Sequence, residues 1–302
     1  DRRSFLHKLA GLTSGLMLTG AGISNGEAQA SDRLGELLPQ RKLGRTGESV
    51  TMLGVGGFHI GRMDDRDAQA TIEAALEGGV RFFDSAESYQ GGGSERTLGK
   101  FLTPDYRDVA FLMTKTTARD AETAREHLEG SLRRLNTDYL DLWQVHAISS
   151  PGDVDRRIDN GVVEVARKAK EEGKVRHLGF TGHRTPDAHA HMLEVADFYE
   201  TVQMPINIAD PTPEEKSFIL NVLPKAVDRN VGVLAMKTLS NGGFFGGRQH
   251  GEHGPHERIV PQRASIREAL HFAWSLPISV LITGPDDVDQ MKQKIELARA
   301  FQ

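Results

Sequence analysis

From about residue 50 onward the chain alternates two hydrophobic patterns. Short, nearly continuous apolar runs predict buried parallel strands. They fall near Val50–Val55, Val80–Phe83, Val109–Thr114, Leu140–Val145, Val175–Phe180, Thr201–Met204, Val231–Met236 and Ser279–Thr283. Between them, apolar residues recur three and four apart, the period of an amphipathic helix. This predicts helices near Asp67–Gly78, Ser94–Phe101, Ala121–Leu135, Val162–Glu172, Pro186–Val195, Ser217–Arg229, Ile266–Ser275 and Val288–Ala300. In one of them Leu128, Leu132 and Leu135 share a face. Gly78-Gly79 and Gly173 stand where left-handed helix caps are expected. Eight alternations of strand and helix predict an α/β chain folded as a single-domain (β/α)8 barrel, the TIM barrel. A doubly wound sheet is the alternative, but no G-x-G-x-x-G follows the first strand. Residues 31–50 read as a polar lead and a hairpin closing the barrel floor.

Three of the apolar runs end in chemically capable residues. Arg81-Phe82-Phe83 ends at Asp84, with Tyr89 five residues on. Val109–Thr114 ends at Lys115, and Leu140–Val145 ends at His146. In a parallel barrel, side chains at the C-terminal strand ends converge on one mouth. Asp84, Tyr89, Lys115 and His146 are therefore expected in one pocket. Taken singly, each has a bland reading: a turn former, a helix cap, a solvated lysine, a satisfied histidine. Taken together they form a proton-donor set. The ammonium is expected to lower the phenol pKa toward working pH, and the aspartate to hold the lysine. Strand alternation puts Trp143 opposite Gln144, pointing outward against helices. Phe58 and His59, just after the first strand, are candidates for the substrate wall.

Composition narrows the chemistry. The 302 residues contain no cysteine, which removes disulfides, thiolate zinc sites, iron–sulfur clusters and cysteine nucleophiles. A net charge of −5 gives no reason to expect a nucleic-acid partner. The first 30 residues differ from the rest. Arg2-Arg3-Ser4-Phe5-Leu6 opens a basic region, a weakly apolar run from Leu9 to Ile23 follows, and Ala28-Gln29-Ala30 precedes polar Ser31. That order is that of a secretory signal peptide, and the paired arginines resemble a twin-arginine (Tat) signal. The expectation is a leader over 1–30, a barrel over 31–302, and export of the folded protein to the periplasm or beyond. The run is too short and glycine-rich to predict a membrane span. The absence of an initiator Met is read as a few missing upstream residues.

Two long loops are expected, Ala147–Asn160 and Ser240–Gln262, both long enough to serve as lids or binding loops. His250, His253 and His256 fall in the second. Without a fixed scaffold they read as a polar loop, so no metal site is expected.

The order of the four residues and the surrounding words resemble the aldo/keto reductase family, of the bacterial and potassium-channel β-subunit type. The words are RKLGRTGESVTMLGVGG (41–57), FFDSAESY (82–89), GGGSERTLGKFL (91–102), LEGSLRRLNTDYLDLWQVH (128–146) and GKVRHLGFTG (173–182). VLAMKTL (233–239) and VLITGPDDVDQM (280–291) match more loosely. The resemblance implies a nicotinamide cofactor across the barrel mouth, with Tyr89 protonating a carbonyl oxygen that His146 orients. It implies Gln203, Thr181 and Gly182 at the carboxamide, although Gly182 lacks the side-chain amide often found there. It places Gly57 and Met236 beside the cofactor. Lys237, Leu239, Gly243 and Arg248 would lie along the pyrophosphate, and Gly284, Asp286 and Gln290 at the adenosine end. Ser94 and Glu95 are read as capping the second helix.

The leading expectation is an NAD(P)H-dependent carbonyl reductase or alcohol dehydrogenase, acting on an aldehyde or ketone of medium size. The alternatives are a nicotinamide-binding regulatory subunit with slow turnover and a sugar-modifying enzyme that retains its cofactor. NADP is the expected cofactor, with NAD possible. Asp286, Asp287 and Asp289 crowd the start of the last helix and would repel an extra phosphate. Preference for NADP(H) is therefore expected to be weak, about tenfold or less.

Overall fold

The structure, a computed structural model, describes residues 30–209, 214–240 and 264–301. The proposed leader, His250, His253 and His256 lie outside the described residues. Eight parallel strands close into a barrel: β1 (Leu53–Gly56), β2 (Phe82–Asp84), β3 (Phe111–Thr116), β4 (Leu140–Ile148), β5 (Val175–Gly182), β6 (Thr201–Pro205), β7 (Gly232–Met236) and β8 (Val280–Thr283). Strands follow chain order around the barrel, and Leu281 of β8 pairs with Leu53 of β1 to close it. All eight coincide with the apolar runs, within a few residues at their ends.

The principal helices are α1 (Asp65–Glu77), α2 (Gly93–Phe101), α3 (Ala121–Arg134), α4 (Pro151–Asp159), α5 (Val162–Glu171), α6 (Pro186–Val195), α7 (Leu223–Asp228), α8 (Ile266–Trp274) and α9 (Val288–Arg299). Gly79 and Gly173 adopt positive φ after α1 and α5, as their placement requires. Two segments differ from the sequence pattern. Residues 217–229 form two short helices, Phe218–Asn221 and Leu223–Asp228. Pro224 has no N–H to continue the first, so it starts the second. Residues 147–160 contain α4 and are not an open loop. Ser150 caps α4 by accepting from the Asp153 N–H, with Pro151 at its first turn.

Two apolar layers follow from strand alternation. Outward residues such as Phe83, Leu112, Trp143, Val145 and Ala235 pack against the helices. Trp143 thus faces outward as its alternation predicts. Inward residues Phe82, Met113, Leu142, Leu234, Val280 and Ile282 fill the barrel, with Leu43 and Val50 from the floor hairpin plugging it below. Phe82 stacks on partly buried Phe111 at 4.8 Å. Arg41 ties the floor to the end of α8, donating to the carbonyls of Trp274 (2.7 Å) and Ile278 (3.1 Å). Above this plug the inward positions turn polar, because the same alternation carries β2, β3, β4 and β6 to Asp84, Lys115, Gln144 and Gln203. Among the described residues no helix is long and apolar enough to cross a membrane.

Candidate active site

The four residues predicted to converge do so at the C-terminal mouth. Lys115 is fully buried, and its ammonium donates to the Asp84 carboxylate, to the Ser85 carbonyl at 2.7 Å and to the Tyr89 hydroxyl at 3.4 Å. The ammonium also lies 4.9 Å from the Tyr89 ring centroid. The Tyr89 and His146 rings meet edge to face at 5.9 Å. Phe58 also packs edge to face with Tyr89, at 5.3 Å, where a substrate wall was expected.

The electrostatics divide cleanly. Burial lowers the Lys115 pKa, but Asp84 and Tyr89 more than offset it, so the net shift is upward and the ammonium is held. Burial raises the Asp84 pKa against the pulls of Lys115 and of a hydrogen bond from Gln203. Tyr89 departs from expectation. Lys115 does pull its pKa down, but burial, with Asp84 adding to it, pushes it up, and the net shift is upward. The phenol is therefore held protonated in the protein alone, ready to donate. Burial, with the Lys115 charge and His183 nearby, keeps the His146 pKa well below 6.5, so the imidazole is neutral. Its Nδ1 is buried without a hydrogen-bond partner among the described residues. A bare lone pair there costs less than a bare N–H, so the proton is assigned to Nε2, which can donate.

The positions expected to hold a cofactor fall into three groups. Gln203 and Thr181 are fully buried side by side on β6 and β5, and Gln203 Oε1 and Thr181 Oγ1 have no hydrogen-bond partner. Together they offer acceptor and donor capacity to a flat amide, so this pair fits a carboxamide. Met236 is buried on inward-facing β7. Lys237, which follows it, is held at positive φ, and burial lowers its pKa to about 8. Among the described residues it has no carboxylate within ion-pair distance. A half-buried cation in that state fits a phosphate.

The second group is engaged within the protein. His59 Nδ1 meets Asp286 Oδ1 at 2.7 Å, bridging the turn after β1 to the turn after β8. A Cβ on Gly284 would run into the His59 ring. His59 is thus placed over the end of β8, with its ring edge to face with Phe58 at 5.8 Å. Gln290 accepts from the Asp286 N–H at 3.1 Å, and Asp287 caps α9 by accepting from the Gln290 N–H at 2.7 Å. Both acidic residues are held in this turn. Gly57 and Gly182 are packing glycines: a Cβ on Gly57 would strike the Asp84 carbonyl, and one on Gly182 would lie 2.5 Å from the Ile148 carbonyl. No side chain can stand at 182, which explains the missing amide.

The third group lies elsewhere. Leu239 is partly buried and packs against the outer apolar layer. Gly243 and Arg248 lie outside the described residues. Ser94 and Glu95 do not cap α2. Its N-cap is Gly92, while Ser94 bonds Ser85 at 2.8 Å and Glu95 is buried between Thr114 and Arg134. Among the described residues no cluster of metal-ligating side chains occurs.

The aldo/keto reductase family model matches residues 52–291. The chain belongs to the aldo/keto reductase family. It is similar to the aldo-keto reductase YhdN of Bacillus subtilis, 32% identical over 200 residues, covering 62% of this chain and 56% of that relative. The match therefore spans little more than half the length of that protein. Among solved structures, the holo form of an aldo-keto reductase from Bacillus halodurans has a TM-score of 0.71 at 23% identity, covering 86% of this chain and 90% of its own. An aldo-keto reductase from Klebsiella pneumoniae in complex with NADPH has a TM-score of 0.68 at 21% identity, covering 87% and 90%. These two likenesses are of fold.

Two features of this family member were not anticipated. Lys294 on α9 is 3% exposed, with its ammonium 3.5 Å from the Gly284 carbonyl. Burial lowers its pKa to about 8, against the pull of Asp286 and Asp287. Its spacing from Met291 and Ala298, three and four residues away, marks the buried face and was the available signal. In α4, Asp153 and Arg157 form a buried pair 3.4 Å apart, and Arg157 donates to the Ala118 carbonyl at 3.0 Å. That pair ties the segment after β4 to the one after β3.

Proposed function

We propose that this protein is an NAD(P)H-dependent carbonyl reductase with Tyr89 as its general acid. The observation that carries the reading is the buried Asp84–Lys115–Tyr89 chain beside neutral His146. A bound nicotinamide would supply the hydride. Tyr89 supplies the proton to the carbonyl oxygen. Lys115 then stabilises the phenolate left behind, and Asp84 keeps that ammonium charged inside the barrel. His146 donates from Nε2 to the same oxygen and fixes its position. Gln203 and Thr181 would hold the carboxamide, with Met236 beside them, Lys237 would take the pyrophosphate, and Lys294 would lend positive charge at the adenosine end. In this arrangement NADP(H) is the cofactor.

Reduction of 4-nitrobenzaldehyde tests this, followed as NADPH consumption by the purified protein. Turnover that is lost in Tyr89→Phe supports it. Wild-type protein that binds NADPH but consumes none with a panel of aldehydes would refute it.

We read residues 1–30 as a twin-arginine leader, with mature protein starting at Ser31 in the periplasm. The support is the order of basic, apolar and small-x-small regions. Intact mass of the exported form decides it, and retention of Arg2-Arg3 there would refute cleavage.

A further inference from the structure

On the outer surface, α2 and α3 line an open cavity of about 370 Å³. Its lining is Arg96, Gly99, Lys100, Gly130, Arg133 and Arg134. We propose that this cavity is a binding site for a phosphate dianion, carried free or as a phosphate monoester.

Charge is the first argument. Four cations line the cavity, and two carboxylates are bonded to them. Glu95, fully buried, accepts from Arg134 Nε at 2.6 Å, and Asp65 accepts from Lys100 at 2.6 Å. Four positive charges less two negative leaves two uncompensated. Glu129, one turn before Arg133, is instead bonded to Lys174 at 2.7 Å. Among the described residues the Arg133 side chain has no ion-pair partner.

Geometry is the second. A Cβ placed on Gly92 would lie 2.7 Å from Arg134 Nε and 3.1 Å from an Arg96 terminal nitrogen. Two points within those distances of one position are less than 6 Å apart, so the two guanidinium groups crowd each other. Gly92 itself has φ +84, the left-handed region, so no side chain fills the space between them. Arg134 uses its Nε edge on Glu95. Among the described residues its terminal edge has only Ser131 Oγ, at 3.5 Å, and Arg96 has only the Gly91 carbonyl, at 3.2 Å. Two like charges held this close, each with an unfilled planar fork, match the bidentate geometry of a phosphate. Basic residues at the C-terminus of α3 also suit the helix dipole, but that accounts for neither Arg96 nor the crowding.

The glycines set the shape. A Cβ on Gly99 would strike the Arg134 carbonyl, and one on Gly130 would sit 2.8 Å from an Arg134 terminal nitrogen. The two helices therefore approach closely, and the cavity walls are guanidinium groups.

The test is calorimetric titration of inorganic phosphate and glycerol 3-phosphate into protein saturated with NADP, so that the cofactor groove is filled. At about pH 8 both probes are dianions. Arg96→Gln with Arg133→Gln changes two exposed residues and leaves the Arg134–Glu95 bond intact. We expect both probes to bind, and the double variant to weaken them at least tenfold while cofactor affinity changes less than twofold. A threefold or greater advantage for glycerol 3-phosphate assigns the site to phosphorylated small molecules, and equal binding assigns it to free phosphate. Equal affinity in the double variant, or the same heat from chloride at matched ionic strength, overturns the proposal.

Discussion

Cofactor binding should weaken as pH rises from 7 to 9, because Lys237 is half-buried and has no counter-charge among the described residues. Its pKa lies near 8 in place of 10.5. That gap amounts to about 3 kcal/mol of charge burial at neutral pH. A phosphate beside Lys237 removes most of the cost and returns the pKa toward its ordinary value, so binding takes up a proton above pH 8. The sign follows. Free protein is about nine-tenths protonated at this site at about pH 7 and one-tenth at about pH 9, so Kd should rise about tenfold, or about 1.4 kcal/mol. Lys294, also near 8, would bring the rise to about a hundredfold if it too meets a phosphate. Without cofactor the same shift acts in reverse on folding: stability should rise between about pH 8 and 10 as these charges are lost. NADPH fluorescence titrations across this range give Kd. Lys237→Met should start weaker and remove its share of the slope. A wild-type Kd that changes less than twofold between pH 7 and 9 would refute the assignment of either lysine to a phosphate.

Further expectations are independent of that one. Lys115→Met should lower kcat by about 10²-fold or more, since the phenolate loses its charge partner; stopped-flow reduction at saturating NADPH measures it. NADP(H) should be preferred over NAD(H) by about tenfold or less, and Lys294→Met should reduce that preference, read from paired dissociation constants. Glu200 is held near pKa 2, its burial outweighed by His177 and Lys170. Its stabilisation is thus complete above about pH 4.5 and is lost as pH falls toward 2. Glu200→Gln should cost about 2–3 kcal/mol in urea unfolding at neutral pH, with the deficit vanishing in acid.

The barrel was legible because its strands are buried on both faces and read as apolar runs. The four central residues were legible because strand ends in a parallel barrel must meet. Alternation alone also turned Trp143 outward. The helix Pro151–Asp159 escaped because two of its three buried residues are the Asp153–Arg157 ion pair, which a hydrophobic period does not register. Its cap, Ser150-Pro151, was a readable signal. The His59–Asp286 bridge joins residues far apart in sequence, brought together only where β8 closes on β1, and no local pattern carries it. The upward shift of the Tyr89 pKa depends on how deeply the ring is buried, which the residue types alone do not specify.

The most direct test of the central claim is Tyr89→Phe followed in a single turnover. The substitution removes one hydroxyl and keeps the ring that packs between Phe58 and His146. The account predicts an unchanged Kd for NADPH and a hydride-transfer rate lowered by about 10²–10⁴-fold. Retention of more than about a tenth of the wild-type rate in that chemical step, read against the same principle, would show that another group delivers the proton.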